Sequence, residues 1–416
     1  MDQVTEIVAQ SYATDAALLA QLRATWPPAE PEAHVVLGGA DDGYRSTDLE
    51  ALELVGAVRL TDRFAIALAA DPGVEPGAFV VVPLARDGAR WRRAVPGDGL
   101  SAFVAGAPAA SERAIGVDQT HASVVVGERA IIKWFRRVGP GPSRAAELLA
   151  HLAAVGFGGI PRPLGSLTWH SPTGVELTLA QGDAFLIGAR DGWEWCLERV
   201  PGDPLVGRAL GELVSELHRA LATPSAVIAE PLAVAGGVDV ASWRQEALAT
   251  LDEVIALTDD AELNSFAPAM RDVLDGLRVD GTVPVQPVHG DLHIGQILEW
   301  PGGLAVIDFD GNPALRDNAN ALRQPVERDI AQMLLSLDHV GRVVDNQAGW
   351  ARTAEVEAWI AASRSEFLSA VGPVDEQLLA AFEVEQECRE LVYAARFLPR
   401  WRYAPLATLR SRFGRG

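Results

Sequence analysis

Predicted strands and helices are distributed unevenly along this chain. Up to about Gly188, short apolar and β-branched runs alternate with Gly, Pro and Asp turns, a pattern typical of strands. From Trp193 onward the sequence is mostly helical, with candidate helices at Leu205–Ala222, Val240–Leu257, Val326–His339, Val356–Val371 and Glu376–Phe397. A strand-rich part followed by a helix-rich part predicts an α+β protein with two lobes and a cleft between them.

Charge and composition exclude several classes of protein. The chain has 35 basic and 56 acidic residues, and the net charge of -21 repels nucleic acids and anionic membranes. The sequence lacks the roughly 18 uninterrupted apolar residues of a membrane span. Its first residues lack a basic segment, so we expect no secretory signal. Only Cys196 and Cys388 are present, which fits a reducing cytoplasm, and we expect a monomer.

Lysine use is the most unusual feature of the composition. Of the 35 basic residues only Lys133 is a lysine, so the other 34 are arginines. A lysine ammonium is a compact point charge, whereas the arginine guanidinium is a planar fork with five donors. Lys133 lies in Ala122–Phe135, two β-branched runs joined by Gly127-Glu128, which predicts a hairpin with a two-residue turn. Either the single lysine is a chance survivor, or it occupies a site that the fork does not fit.

The densest polar cluster in an apolar setting is His289–Gln296, followed by a turn and the run Ile307–Asp310. Asp291, Gln296 and Asp308 together would form an oxygen-rich site, and Mg²⁺ prefers oxygen ligands shared with substrate phosphates. Phosphoryl transfer needs that metal, a carboxylate that orients the acceptor hydroxyl, and a cation on the phosphates. Lys133 is the candidate cation, and Glu147 on the next predicted helix is the candidate partner for its ammonium.

This ordered set resembles the protein-kinase-like phosphotransferases, which include aminoglycoside and choline kinases. The segment QPVHGDLHIGQILEWPGGLAVIDFDGNP is similar to the catalytic segment of actinobacterial maltokinases. The similarity extends to AIIKWFRRVGPGPSRAAELL, GARDGWEW, ERDIAQMLLSLDHV and CRELVYAARFLPRW, and so covers about the C-terminal three quarters of the chain.

The resemblance implies a bilobal protein-kinase-like fold, similar to that of aminoglycoside phosphotransferases, with an N-terminal α+β cap module. We expect the cap over residues 1–113, the nucleotide-binding part of the N-lobe over 114–188, and a mostly helical C-lobe with the catalytic loop and acceptor site over 189–416. The cofactors it implies are ATP and Mg²⁺.

The resemblance also assigns roles to individual residues. Asp291 would be the catalytic carboxylate, and Gln296 with Asp308 would bind Mg²⁺. Lys133 would contact the α/β-phosphates and pair with Glu147. The maltokinase type lacks a glycine-rich phosphate loop, and so does this chain before Ser123, whose hydroxyl and backbone are therefore expected to cover the phosphates.

Two departures bear on the acceptor. Maltokinases typically read DFEGEP where this chain has DFDGNP, and its C-terminal segment reads FLPRWRYAP. Both features are similar to actinobacterial glucosamine kinases, which phosphorylate an amino sugar. The resemblance therefore predicts transfer from ATP to glucosamine, giving glucosamine 6-phosphate. The alternatives are a maltokinase that makes maltose 1-phosphate, an aminoglycoside phosphotransferase, and a pseudokinase that binds without turnover.

An amino sugar carries an ammonium that needs a carboxylate opposite it. Glu383, Glu387 and Glu390 share one face of the last long predicted helix, and Glu387 or Glu390 is a candidate sugar contact. The alternative interpretation is a solvated acidic surface. Further candidate sugar contacts are Trp401, His293 and Asp310: Trp401 either stacks on the sugar or anchors the core, His293 either reaches the acceptor or supports the loop, and Asp310 either binds ligand or caps a turn.

Overall fold

The computed structural model describes residues 10–29, 52–70, 78–103, 112–115, 122–139, 143–171, 174, 176–277, 281–311 and 323–414. By its internal contacts the chain divides into two compact units. The first comprises Met1–Ala150 and Pro161–Ile187, and the second comprises His151–Ile160 and Gly188–Gly416. The boundary between cap module and N-lobe near residue 113 stays a prediction.

The first unit contains two antiparallel-rich sheets. Its strands are β1 (Gln10–Tyr12), β2 (Glu53–Arg59), β3 (Phe64–Ala70), β4 (Phe79–Asp87), β5 (Arg90–Arg93), β6 (Glu112–Ala114), β7 (Ala122–Val126), β8 (Ala130–Trp134), β9 (Arg137–Val138), β10 (Pro163–His170) and β11 (Glu176–Ala184). One sheet has the order β1-β10-β11-β8-β7-β6, and the other has the order β2-β3-β4-β5 with β9 paired to β4.

Helices of the first unit follow local signals in the sequence. Helix α1 (Ala16–Arg23) begins after Asp15, whose side chain accepts a hydrogen bond from the Leu18 amide at 2.9 Å. Helix α2 (Arg144–Ala154) runs from the first unit into the second. Leu18 and Leu22 of α1 pack against the β2-β3-β4-β5 sheet, so this part of the chain has an apolar core of its own.

The hairpin around Lys133 forms as predicted, except for its turn. Strands β7 and β8 pair antiparallel, but three residues, Gly127–Arg129, connect them instead of two. Gly127 and Glu128 have φ of 56° and 53°, a left-handed conformation that glycine adopts without steric cost. In β8, burial alternates, so Ile132 and Trp134 enter the core while Lys133 lies on the opposite face.

The second unit is mostly helical. Its helices are α3 (Gly192–Leu197), α4 (Val206–Leu221), α5 (Gly237–Thr258), α6 (Ala261–Asp275), α7 (Glu327–Gln347), α8 (Thr353–Val371), α9 (Glu376–Arg396) and α10 (Tyr403–Phe413). The five predicted helices are confirmed, although α7 extends eight residues beyond the predicted end at His339. The sequence interpretation missed α3, α6 and α10. Within the described ranges, no helix has both the length and the apolar character needed to cross a bilayer.

Short strands of the second unit frame the predicted catalytic segment. They are β12 (Ala233–Ala235), β13 (Val283–Pro287), β14 (Ile297–Trp300), β15 (Gly303–Val306) and β16 (Arg323–Gln324). Strand β13 lies between β12 and β16, whereas β14 and β15 form a separate hairpin. The catalytic segment therefore leaves one strand, β13, and enters the hairpin through a short 3-10 turn at Ile294–Gln296.

Candidate active site

The β14–β15 hairpin brings Asp308 back toward Gln296. Ile297 pairs with Val306, and the Ile307 amide donates a hydrogen bond to the Gln296 carbonyl at 2.9 Å. Asp308 itself has a φ of 65°, a left-handed conformation that costs energy for a side chain bearing a Cβ. Phe309, next in sequence, is fully buried and holds this end of the hairpin in the core.

Helix α7 holds the catalytic segment through a row of polar side chains. Asp329 accepts the backbone N–H groups of His289 and Gly290, each at 2.8 Å. One turn further, Gln332 accepts the Leu292 N–H at 2.9 Å.

Next along the same row, Ser336 accepts the Ile294 N–H at 3.1 Å. Four backbone donors of an irregular segment are thus satisfied by one rigid helix, which keeps the position of the intervening Asp291 well defined.

His289 has a structural role in this arrangement. Burial lowers the pKa of its imidazole, so the ring is neutral. Its Nε2 lies 2.9 Å from the Ile307 carbonyl, which only accepts, so Nε2 carries the proton. Its Nδ1 then accepts the Asp291 N–H at 3.3 Å. His289 thereby ties the Asp291 backbone to the end of β15.

Asp291 is a carboxylate whose ionisation is disfavoured by its surroundings. Burial raises its pKa to about 6, and the negative charges of Asp308, Glu390 and Asp329 add to this rise. A carboxyl group with a pKa near neutrality accepts a proton readily and still loses it at physiological pH. Asp291 has the acid–base property that a group orienting an acceptor hydroxyl needs.

Asp291 opens into a cavity of about 400 Å³. The cavity is lined by Trp193, Asp291, His293, Gln332, Leu335, Ser336, His339, Gln386, Glu390, Tyr393, Leu398 and Trp401. This volume suits a small ligand, and carboxylates, imidazoles, amides and indoles provide polar contacts beside apolar surface. The structure therefore gathers the predicted residues Asp291, His293, Glu390 and Trp401 around one space.

Trp401 is a wall of this cavity and is partly exposed to it. Its indole Nε1 donates to Glu390 at 2.9 Å, and its ring makes edge contacts with Trp193 and His339. Trp193 reaches the cavity because α3 approaches the catalytic segment closely. A Cβ on Gly192 would lie 1.7 Å from the Ile294 carbonyl oxygen, so this approach requires glycine.

Glu387, a predicted sugar contact, does not lie in the environment that this role requires. It is 1% exposed, pairs with His339, and is not among the cavity-lining residues of the described chain. We therefore correct its assignment from sugar contact to partner of His339. Of the two candidates, Glu390 is the one that reaches the cavity.

The acidic face of α9 is also not the solvated surface that one interpretation allowed. Glu383 is buried between Arg364 of α8 and Arg412 of α10. Glu385 is buried with Arg328 and Arg389. Like charges this close are tolerated in one helix because cations compensate them, Arg389 from α9 itself and the others from neighbouring helices.

A second group of polar residues lies in the first unit, on neighbouring strands. Ser123 of β7, Lys133 of β8 and Gln181 of β11 are directly opposite one another in register. Gln181 donates to Asp183 at 3.2 Å. Burial raises the pKa of Asp183 to about 6, against the opposing influence of that hydrogen bond and the Lys133 charge.

Two other predicted residues have less defined surroundings. Glu147 lies in the first turn of α2 and is partly buried, and its pairing with Lys133 stays a prediction. Asp310 is partly buried next to Phe309, and its contact with ligand also stays a prediction. The glycine-poor segment before Ser123, residues 116–121, lies outside the described residues, as do the two last residues of DFDGNP.

The donor set at the hairpin fits Mg²⁺. Within the described ranges, no three His, Cys, Asp or Glu side chains form a dedicated metal cluster. Mg²⁺ bound with nucleotide does not need one, because phosphate oxygens and waters complete its octahedron around one or two protein ligands. Asp308 is an exposed carboxylate and Gln296 an amide on the adjoining turn, so both provide hard oxygen ligands in reach of solvent.

Comparison with known proteins agrees with this geometry. The model of the phosphotransferase enzyme family matches residues 113–311. A glucosamine kinase from Streptacidiphilus jiangxiensis is 38% identical, over 91% of this chain and 93% of the relative. The chain belongs to the glucosamine kinase family.

Two further relatives support this membership. A glucosamine kinase from Mycolicibacterium smegmatis (strain ATCC 700084 / mc(2)155) is 35% identical over 80% of this chain and 93% of its own length. A solved structure described as glucosamine kinase in complex with glucosamine, ADP and inorganic phosphate is 35% identical, with a TM-score of 0.72 over 91% of this chain and 95% of that one. The predicted kinase-like fold is confirmed, and the maltokinase alternative is not favoured.

Sequence reasoning missed most of the residues that hold this glucosamine kinase-like site together. Asp329, Gln332, Ser336 and His339 occur at spacings of three, four and three, so they lie on one side of α7. Polar residues at helical spacing within an otherwise apolar run were the available signal. The predicted helix was recognised, but its polar side was not interpreted as support for the catalytic segment.

Proposed function

We propose that this chain is an ATP-dependent glucosamine kinase that forms glucosamine 6-phosphate, with Asp291 as the catalytic base. The observation that carries this proposal is the cavity shared by Asp291, Glu390 and Trp401. It places an acid–base carboxylate, a second carboxylate and an aromatic wall around a space of about 400 Å³, the requirements of a small cationic sugar. Family membership over nearly the whole chain supports the same reaction.

Binding of the acceptor uses Glu390 and Trp401. The ammonium on C2 of glucosamine pairs with the Glu390 carboxylate, a charge-assisted contact that maltose lacks. The ring stacks on the Trp401 indole, and His293 contacts the sugar beside Asp291. Asp310 is a further candidate contact. This arrangement directs the 6-hydroxyl to Asp291, which accepts its proton as the hydroxyl oxygen attacks the γ-phosphorus. The bond between the γ-phosphorus and the β,γ-bridging oxygen breaks, and ADP leaves.

Binding of ATP uses the polar strand face of the first unit. Lys133 contacts the α/β-phosphates, Glu147 pairs with its ammonium, and Ser123 covers the phosphates with its hydroxyl. The compact lysine ammonium contacts the phosphates at a position where the wider arginine guanidinium cannot replace it. The buried Gln181 lies opposite Lys133 on the neighbouring strand β11, and the partly buried Asp183 follows two residues later on that strand. Both are part of the surface on which the nucleotide lies.

Gln296 and Asp308 hold Mg²⁺ with the nucleotide. When bound there, the ion would neutralise negative charge on the phosphates. The strained φ of Asp308 is consistent with a residue whose carboxylate is positioned for such a role rather than for packing.

We also propose a monomer that works in the cytoplasm. Both cysteines, Cys196 and Cys388, are unpaired and buried, and burial raises the pKa of each thiol, which keeps them unreactive.

The experiment is an acceptor screen with ADP release as readout and NMR of the product. We expect turnover with glucosamine, phosphate on O6, and at most weak turnover with maltose or aminoglycosides. Turnover of maltose without turnover of glucosamine overturns the acceptor assignment. Absence of ATP binding and of turnover with every acceptor instead supports the pseudokinase alternative.

A charge test separates amino-sugar recognition from general sugar binding. Glu390→Gln keeps the size of the side chain but removes its charge. We expect the KM for glucosamine to rise at least about tenfold, while the weak turnover of glucose changes little, since glucose has no ammonium. An equal loss for both sugars contradicts the proposed ammonium contact. Glu216→Gln, on an exposed position of α4, is the matched control.

A further inference from the structure

Four side chains that line the cavity, Gln332, Gln386, Glu390 and Trp401, are connected by hydrogen bonds to Leu292 of the catalytic segment. The Leu292 N–H donates to Gln332 Oε1 at 2.9 Å. Gln332 Nε2 lies 3.5 Å from Gln386 Oε1 and also 3.5 Å from the Gly290 carbonyl. Gln386 Nε2 lies 3.2 Å from Glu390 Oε1, and Trp401 Nε1 lies 2.9 Å from Glu390 Oε2.

The donor and acceptor of every hydrogen bond in this series are determined by its two ends, the Leu292 N–H and the Trp401 indole N–H. A backbone N–H only donates, so the atom of Gln332 facing Leu292 is the amide oxygen and its NH₂ points the other way. That NH₂ requires an acceptor, so Gln386 presents its oxygen to Gln332 and its own NH₂ to Glu390. An indole N–H also only donates, so Glu390 accepts at both oxygens, as a carboxylate does.

We propose that Gln332 and Gln386 are positioning residues, forming a directional hydrogen-bond relay that fixes the Glu390 carboxylate relative to the catalytic segment at Leu292. This inference rests on the proposed function. A kinase acceptor must present one hydroxyl to the catalytic base, so the group that binds its far end needs a fixed distance from that base. The relay supplies this distance through rigid helices, because Gln332 lies on α7 and Gln386 and Glu390 lie one turn apart on α9.

Two observations favour a positioning role over simple packing. Gln332 is 8% exposed, so its amide is committed to neighbours within the protein. Glu390 and Gln386 are at i and i-4 on one helix, so their bond is reinforced by helix geometry. Breaking the relay leaves the catalytic base in place but leaves the Glu390 side chain held by Trp401 alone.

The experiment compares Gln386→Met, which keeps the length of the side chain and removes both polar atoms, with wild type. We expect kcat/KM for glucosamine to fall about tenfold and the KM for ATP to stay within about twofold. We also expect a larger fraction of ATP to be hydrolysed without phosphorylating sugar, because a loosely held acceptor is presented less often. Gln377→Met, on an exposed position of the same helix, is the control.

A double-mutant cycle distinguishes the relay from direct sugar contact by Gln386. Gln332→Glu keeps an acceptor for the Leu292 N–H but loses the donor to Gln386. If the two residues act through one relay, the double variant Gln332→Glu/Gln386→Met is no worse than the worse single variant. Additive losses overturn the relay.

These experiments distinguish failure of the proposed function from failure of the relay alone. If wild type does not phosphorylate glucosamine, the proposed function fails and the relay fails with it. If wild type is active and Gln386→Met retains full kcat/KM with unchanged ATP coupling, the relay alone is wrong. Equal melting temperatures of Gln386→Met and the Gln377→Met control show that a loss is not due to unfolding.

Discussion

His339 and Glu387 form a buried ion pair beside the cavity that Asp291 and Trp401 line, with His339 Nε2 3.1 Å from the nearer Glu387 oxygen. The two residues are 4% and 1% exposed. Burial by itself lowers the pKa of His339, but the charge and hydrogen bond of Glu387, with Glu390 and Asp338 nearby, raise it to about 9. At neutral pH this raised pKa favours a charged imidazole ring in the cavity wall, where His339 contacts Trp401.

This pair predicts a pH-dependent stability difference. A raised histidine pKa stabilises the folded state fully below the unfolded value of about 6.5, and the contribution is lost as pH rises through about 9. Glu387→Gln is expected to destabilise the protein by about 3 kcal/mol at pH 6.5, because it leaves a buried histidine without its counter-ion. Calorimetric melting at pH 6.5, 8 and 9.5 should show the difference from wild type shrinking with pH. A difference that is constant over this range contradicts the charged pair.

The raised pKa of Asp291 predicts an acid limb in the pH–rate profile. A catalytic base works only when ionised, so kcat/KM should fall tenfold per pH unit below about 6. Asp291→Asn should lower kcat by about 10²- to 10⁴-fold and leave the affinity for ATP nearly unchanged. The residual rate of this variant should lack the limb near pH 6. Full activity of Asp291→Asn would exclude Asp291 as the base.

Asp329 is predicted to affect kcat indirectly, because it holds the backbone of the catalytic segment in place. Burial raises its pKa, but the hydrogen bonds from His218 and from the Gly290 N–H counter burial, and the pKa of Asp329 is lowered. Asp329→Asn removes the charge and one of the acceptors for His289 and Gly290. We expect kcat to fall about 10- to 100-fold with little change in the KM for ATP. Steady-state kinetics check this, with Asp272→Asn on the exposed side of α6 as control.

Removal of the metal should abolish transfer. EDTA is expected to stop ADP release, and excess Mg²⁺ to restore it, because the phosphates need a divalent cation during transfer. Asp308→Asn should raise the Mg²⁺ concentration for half-maximal rate at least about tenfold. Asparagine tolerates the left-handed conformation at this position, so the variant is expected to fold. An unchanged Mg²⁺ titration would remove Asp308 from the metal site.

Replacement of the single lysine tests the nucleotide site. Lys133→Arg keeps the charge but changes its shape, so we expect the KM for ATP to rise about tenfold or more and kcat to fall. ADP-release kinetics at saturating glucosamine measure both. Arg90→Lys, at an exposed position of β5, is the control that changes arginine use without touching β8. Wild-type kinetics for Lys133→Arg would show that either cation suffices.

Local sequence signals were sufficient to predict elements whose formation depends on residues close together in the sequence, such as helix starts and hairpins. Helix α1 begins after Asp15 and α9 after Asp375, because an Asp side chain caps the first free N–H groups. The β7–β8 hairpin follows from two β-branched runs around a glycine. The missed helix α6 contains Pro268, and Pro in a helix interior is a strong signal against the helix that the structure nevertheless has.

The acidic side of α9 shows why the site was only partly predictable. The spacing of Glu383, Glu387 and Glu390 indicates a shared face, but spacing alone does not tell a buried face from an exposed one. The cations that compensate these acids come from α7, α8 and α10, at sequence distances of 19 to 48 residues. Only packing of those helices assigns Glu387 to His339 and leaves Glu390 for the cavity.

The sequence by itself determined the class of fold and the order of the catalytic parts. Those properties depend on periodicity and on residue types at short spacing, which are local. The tertiary structure decided which acid lines the cavity beside Asp291, which polar side chains hold the catalytic segment, and why Asp291 has a raised pKa. These depend on burial and on charges brought together from distant segments, and the energy of a charge is set by its surroundings in space rather than by its neighbours along the chain.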